Sequence, residues 1–340
     1  TPILGSIIRE HLEWEHVLTY CEAIIRVYNL HGRRDNIYKA RIKILAKALG
    51  IEEFKKQVEA EWHHLKNSPN TIDESELKRI AKFFTAMPYE KLNDQDDTYD
   101  EAIQNNKAFA SWAKRSVHLH KQKGYRAITL SLKPHGLAPG DATSDQMRIV
   151  AELAEQYSFG ELRVSHEQNL ILADVKLQDI FKVWEKAKAH QLATPNIGLL
   201  TDIICCPGGD FCSLANAKSI PIATSIQEAF DNLDYLHDIG ELELNISGCM
   251  NACGHHHIGH IGVLGVDKDG SEWYQVTIGG KQGNDASLGS VIGPSFAAEE
   301  MPGVIKKLID VYIKHRNPEE RFIDTVRRLG VNPFKEHVYA

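Results

Sequence analysis

The sequence predicts an α+β chain with a helical N-terminal segment, a mixed middle segment and an α/β C-terminal portion rich in cysteine. Three observations predict it. Residues 1 to about 90 carry apolar side chains at helical spacing, residues 125–192 switch between strand and helix patterns, and five of the six cysteines fall between 205 and 253.

The N-terminal segment opens on an apolar-periodic stretch (Ile7, Ile8, Leu12, Trp14, Val17, Leu18). From Ile37 to Leu49, Ile37, Ile44, Leu45, Ala48 and Leu49 share one helical face, and Gly50 is placed to stop the helix. Further helices are expected over Glu52–Leu65 and Glu74–Met87, the latter with Leu77, Ile80, Ala81 and Phe84 as its stripe. The polar run Asn93–Thr98 reads as linker.

Beyond it, Tyr125–Leu132 alternates like a half-buried strand, and Ser144–Tyr157 is a capped amphipathic helix. Strands are expected at Leu162–Val164 and Asn169–Val175, and a helix over Leu177–Leu192. This β-α-β-β-α order is that of part of a ferredoxin-like α+β unit. A strand at Leu242–Ile246 and a hairpin of Ile258–Val266 with Trp273–Ile278 around Asp269-Gly270 follow. Helices over Ala297–His315 and Pro318–Leu329 close the chain.

Composition narrows the function. With 43% hydrophobic and 25% charged residues the balance is that of an ordinary globular protein. There is no apolar run long enough for a membrane helix and no secretion-type leader pattern, so a cytoplasmic protein is expected, with no membrane partner. A net charge of -7, from 39 basic and 46 acidic residues, argues against a nucleic-acid partner. The chain starts at Thr1 and enters an apolar stretch at once, which fits either a processed terminus or a piece of a longer protein.

The cysteines carry the chemistry. Cys206 and Cys212 are spaced Cys-x5-Cys in Ile204-Cys205-Cys206-Pro207-Gly208-Gly209-Asp210-Phe211-Cys212; Cys249 and Cys253 are spaced Cys-x3-Cys in Gly248-Cys249-Met250-Asn251-Ala252-Cys253-Gly254. On a helical turn the second pair would share a face. Glycines after Cys206 let the backbone approach a bulky inorganic core, and a helix starting near Asp210 would aim N–H groups at an anionic cluster. Four thiolates are the usual complement of a 4Fe-4S cube. Two plainer alternatives stand beside it: buried packing cysteines, and a four-cysteine zinc site, which the five-residue gap fits badly. His255–His257 and His260 look metal-like, but on a strand only His255 and His257 would share a face. Histidines packed near a cofactor are the favoured reading.

With their flanking residues these cysteines resemble the siroheme-containing sulfite and nitrite reductases. That resemblance implies that Cys206, Cys212, Cys249 and Cys253 hold a 4Fe-4S cluster, that Cys253 also bridges to siroheme iron, and that Asn251 contacts the macrocycle. Cys205 falls outside the pattern. The family is built from two repeats of a ferredoxin-like half and a larger domain. Leu162-Arg163-Val164-Ser165-His166-Glu167-Gln168-Asn169-Leu170 is similar to the second half's motif, which makes Arg163 and Gln168 siroheme-contact candidates. His31–Asn36 and Lys39–Lys43, with Gly50 and Phe54, resemble the end of the first large domain, which makes Arg34, Arg41 and Lys43 candidates for siroheme carboxylates or substrate. For each of these three taken alone a solvated helix face is the favoured reading, and for Arg163 an ordinary strand-end charge weighs evenly with siroheme contact.

The expected organisation is therefore residues 1–70 as the end of a first sulfite/nitrite reductase domain and 71–107 as a helical linker. Residues 108–195 form a ferredoxin-like half-domain, and 196–340 a second large domain with the cluster and siroheme site. The implied activity is six-electron reduction of sulfite to sulfide, the run Cys249–Asp267 being most similar to bacterial sulfite reductase haemoproteins. Nitrite reduction to ammonia and a non-catalytic iron–sulfur or zinc module are the alternatives. The implied partners are the small anion and an electron donor, either a ferredoxin or a flavoprotein subunit.

Overall fold

The structure is a computed structural model and describes residues 2–84 and 86–340. It divides into two compact units, Thr1–Pro88 and Tyr89–Ala340. The fold is α+β, with two separate sheets in the second unit.

The first unit is helical: α1 Val17–His31, α2 Ile42–Leu49, α3 Ile51–Leu65 and α4 Glu74–Ala81. Tyr20, Ala23 and Val27 of α1 meet Leu45 of α2 and Phe54, Val58 and Leu65 of α3 in a small core. Gly50, at φ 80°, separates α2 from α3 as expected of a glycine in that position. The helix expected from Ile37 begins only at Ile42. Asn36 accepts the Tyr38 N–H on its side chain at 3.0 Å, a local turn that competes with helix, and Ile37 and Tyr38 stay exposed. The helix expected over Glu74–Met87 ends at Ala81 and buries none of its residues. Thr85, within that expected span, lies outside the described residues.

The second unit opens with α5 Asp97–Asn105 and α6 Lys107–Ser116, capped by the Asp96 and Asn106 side chains. Helix α5 thus begins inside the run expected to be linker. The first sheet is β1 Val117–Leu119, β2 Tyr125–Leu130, β3 Leu162–Val164 and β4 Leu170–Lys176, antiparallel in the order β1-β2-β4-β3. Edge strand β1, too short to show alternation, adds a strand to the expected order. Helix α7 Ser144–Tyr157 starts with a Thr143–Gln146 capping box, and α8 Ile180–Ala189 follows a short 3-10 turn at Leu177–Asp179. Phe109, Trp112, Ile128, Leu153, Leu172 and Val183 form the core between helices and sheet.

The second sheet holds β5 Ile204–Cys205, β6 Leu244–Ser247, β7 Ile261–Lys268, β8 Ser271–Ile278 and β9 Ser290–Val291, in sequence order. The β5–β6 and β6–β7 pairs are parallel; β7, β8 and β9 are antiparallel, β7–β8 forming the expected hairpin. The β5–β6 crossover carries α9 Gly208–Phe211, α10 Ile220–Ala229 and α11 Leu233–Ile239. Helices α12 Met301–His315, α13 Phe322–Leu329 and α14 Asn332–Tyr339 complete the chain. Helix α13 starts at Phe322 rather than Pro318, and α14 is an addition to the expected elements. Among the described residues no helix is long and apolar enough to cross a membrane.

Candidate metal centre

Parallel pairing decides where the cysteines go. Cys205 is in register with Ile246, so β5 and β6 run side by side and release their following loops at the same end of the sheet. Cys206 leaves one loop and Cys249 the other. The Cys206 N–H donates to Ile246 O at 3.1 Å, and the Gly248 N–H donates to Cys206 Sγ at 3.1 Å. Ser219 Oγ lies 3.4 Å from the same sulfur. The sulfur is thus held in place by a backbone N–H and lies beside a hydroxyl.

The two loops interlock. Asn216 and Ala217 N–H both donate to Gly248 O, at 2.8 and 3.0 Å. A Cβ on Gly248 would lie 2.5 Å from Ala217 O and 2.9 Å from Gly208 Cα, so only glycine lets the loops approach this closely. Gly248→Ala should therefore force the loops apart, costing about 1–3 kcal/mol, as overpacking does. The urea-unfolding midpoint checks this, and an unchanged midpoint would show that the loops can yield.

Cys206 and Cys249 are 8% and 7% exposed, Cys212 is half-buried and Cys253 is exposed. The short turn α9, starting at Gly208 rather than near Asp210, delivers Cys212, whose N–H donates to Gly208 O at 2.9 Å. Cys249–Cys253 does not form the expected helical turn. Ala252 takes φ 58° with its N–H on Cys249 O, and Gly254 folds back to donate to Ser247 Oγ at 3.1 Å. Helical spacing therefore does not apply to this pair. Cys205 is packed in the core, its Sγ donates to Cys206 O at 3.2 Å, and burial pushes its thiol pKa up. Phe211, Leu214 and Met250 stand exposed on the two loops.

Among the described residues no group of three or more His, Cys, Asp or Glu side chains converges as a single-ion site. Two loops presenting four cysteines at one sheet end, with a buried sulfur taking an N–H bond, fit a larger thiolate-bound cluster.

The histidines sit on turns before β7, not on a strand. His255 is exposed; His256 is 1% exposed, its ring 3.8 Å from that of His257. Burial pushes His256 down to about 4. His260 is also lowered to about 4, by burial and then by the charges of Arg321 and Lys281, and its Nδ1 accepts the Glu243 N–H at 3.2 Å.

The ferredoxin-like half reaches the cysteine loop through Gln168, in the β3–β4 turn. Its amide makes two hydrogen bonds to the Cys205 backbone, each 2.8 Å. Arg163 is exposed on β3 and paired with Glu161. Asn251 is exposed at the tip of its turn. In the first unit, Arg34 donates to Asn29 Oδ1 at 2.5 Å and lies over the Tyr28 ring. Arg41 is exposed at the N-cap of α2, and Lys43 is half-buried on that helix.

A buried ion pair is missing from the sequence-based site. Lys133 Nζ lies 2.5 Å from Asp202 Oδ1 and also donates to Glu167 O, with both side chains almost wholly buried. Asn169 Nδ2 donates to the same Asp202 oxygen at 3.0 Å, and the Gly198 N–H donates to the other at 2.9 Å. The available signal was a lone Asp just before the apolar run Ile203–Cys206.

A ferredoxin-like half braced against a cysteine-bearing parallel strand pair defines an iron–sulfur redox protein. The family model "Nitrite and sulphite reductase 4Fe-4S domain" matches residues 3–66 and 199–340, and "Nitrite/Sulfite reductase ferredoxin-like half domain" matches 118–190. The chain belongs to this nitrite and sulfite reductase family, which carries a 4Fe-4S cluster and siroheme. It is 26% identical to the assimilatory ferredoxin-dependent nitrite reductase of Haloferax mediterranei, covering 95% of this chain and 51% of that protein. It is 23% identical to a ferredoxin sulfite reductase of Mycolicibacterium paratuberculosis, over 96% of this chain and 54% of that protein. The solved structure of Mycobacterium tuberculosis NirA protein matches 98% of this chain and 56% of its own, with TM-score 0.69 and 22% identity, and so shares the fold. The chain spans about half the length of the curated relatives it matches.

Proposed function

We propose that this chain is the cluster-bearing portion of a reductase that takes a small oxyanion, nitrite or sulfite, through a six-electron reduction. Cys206, Cys212, Cys249 and Cys253 would hold the 4Fe-4S cluster, and Cys253, the exposed member, would couple it to siroheme. The single observation that carries this is the release of both cysteine loops from one end of the β5–β6 pair. When bound, the two cofactors supply single electrons and the macrocycle at which the oxyanion is reduced.

The chain's own residues bind and orient. The Gly248 N–H supports the Cys206 thiolate. Asn251 and Arg163 would be candidate contacts for the macrocycle, whereas the Gln168 amide is held by the Cys205 backbone; Arg34, Arg41 and Lys43 of the first unit are cationic candidates for carboxylates or substrate. Residues 1–70 end a first large domain and 71–107 link it to the ferredoxin-like half, 108–195. Residues 196–340 form the second large domain. A thiolate-bound cluster of this kind suits the reducing cytoplasm.

The nitrite reading gains from relatives named ferredoxin-dependent nitrite reductases, which also favour ferredoxin as donor. The sulfite reading rests on the Cys249–Asp267 run and the mycobacterial sulfite reductase. Anaerobic reconstitution with iron, sulfide and siroheme tests the proposal. A cluster and a coupled siroheme spectrum are expected, and Cys253→Ser should remove the coupling while iron is still bound. A colourless protein that takes up zinc instead would sink the redox reading. Comparing turnover of the reconstituted full-length protein with nitrite and sulfite, reduced ferredoxin as donor, separates the substrates.

A further inference from the structure

Gln168 has a backbone and a side chain that both need explaining. It is a non-glycine residue at φ 59°, held there by a tight turn in which the Ser165 N–H donates to Asn169 O at 2.9 Å and the Gln168 N–H to Ser165 O at 3.2 Å. Its side chain packs against Gly140, where an added Cβ would come within 3.1 Å of Gln168 Cβ. The amide ends on the open edge of β5, a strand whose one strand neighbour in the sheet is β6. There Nε2 donates to Cys205 O and Oε1 accepts the Cys205 N–H, both at 2.8 Å.

The peptide plane between Cys205 and Cys206 is therefore gripped from both sides. Its oxygen receives the Gln168 amide, and its N–H, that of Cys206, donates to Ile246 O at 3.1 Å. Rotation of this plane would swing the Cys206 side chain. One amide from the ferredoxin-like half occupies the place of a neighbouring strand at the residue next to a thiol.

We propose that Gln168 is a positioning residue that fixes the Cys206 thiolate for the cluster by clamping the Cys205–Cys206 peptide. This rests on Cys206 being a cluster ligand, as proposed above. Gln168 acts through the backbone of Cys205, which is a different task from touching a cofactor.

The test has two arms on the full chain. In the metal-free chain, site-resolved alkylation by iodoacetamide reports how often Cys206 opens. Gln168→Ala removes both hydrogen bonds and should raise the Cys206 rate about tenfold, leaving exposed Cys21 unchanged. Gln168→Glu keeps an acceptor for the Cys205 N–H but loses the donor, and should fall between. In the reconstituted chain, the electron paramagnetic resonance signal of the reduced cluster should change in Gln168→Ala and partly return in Gln168→Glu. Unchanged Cys206 alkylation in both variants overturns the clamp. Faster alkylation with an unaltered cluster signal overturns its role toward the cluster. A wild-type chain that binds no cluster sinks the ligand assignment instead, and alkylation then decides the clamp alone.

Discussion

Lys133→Met is expected to destabilise the second unit by about 3–5 kcal/mol, the cost of breaking a buried ion pair from one side. The substitution keeps the length of the side chain and removes its charge. Asp202 would then keep the Asn169 amide and the Gly198 N–H but lose its cation. The effect is large because Lys133 Nζ ties three loops together. It follows β2, reaches Asp202 before β5, and donates to Glu167 O in the β3–β4 turn. Asp202→Asn should cost a similar amount by stranding the ammonium. The double variant Lys133→Met with Asp202→Asn should lose clearly less than the two single losses added, since neither bare charge remains. Urea unfolding of the four proteins gives the coupling directly, and simple additivity would mean that the pair does not act as a unit.

The second large effect is acid sensitivity between about pH 6.5 and 4. In the unfolded chain His256 and His260 protonate near 6.5, whereas burial holds both down at about 4 in the fold. Between those values the unfolded chain binds more protons than the native one. Stability therefore rises with pH through this window and is lost as pH falls, by about 1.4 kcal/mol per unit for each imidazole. His118, His237 and His257 are lowered too and act in the same direction. Glu243, whose carboxyl burial pushes up, opposes them. Urea midpoints at half-unit pH steps should show the slope, and His260→Asn should remove a share of it. A flat profile from pH 6.5 to 5 in the wild-type chain would rule out two buried neutral imidazoles.

The sequence made the elements with strong local signals legible. Ser144–Tyr157 was readable from its cap and stripe, and the β7–β8 hairpin from Asp269-Gly270 between apolar runs. Where a side chain competed with the backbone, periodicity misled: Asn36 turned the chain that Ile37 and Ile44 would have made helical. Helix α14 had a start signal in Asn332-Pro333 just after Gly330, but its few buried residues, Phe334 and Val338, make a weak stripe. At the cysteine loops, residue types and spacing carried the expectation, while the loop conformation is set by backbone contacts that spacing does not show. Gly254 is shaped by folding back on Ser247 and Ile246, and Gly248 by Ala217. Lys133 and Asp202 are 69 positions apart, so only the tertiary fold makes them a pair.

The parallel β5–β6 pair also orders events in time. Such strands cannot meet through a tight turn; the intervening chain, with α9, α10 and α11, must be laid down first. Contacts this distant in sequence form late and slowly. The Cys206 and Cys249 loops therefore become neighbours only after this part of the sheet has assembled. Refolding of the metal-free chain should accordingly run at the same rate with Cys206→Ser as without it.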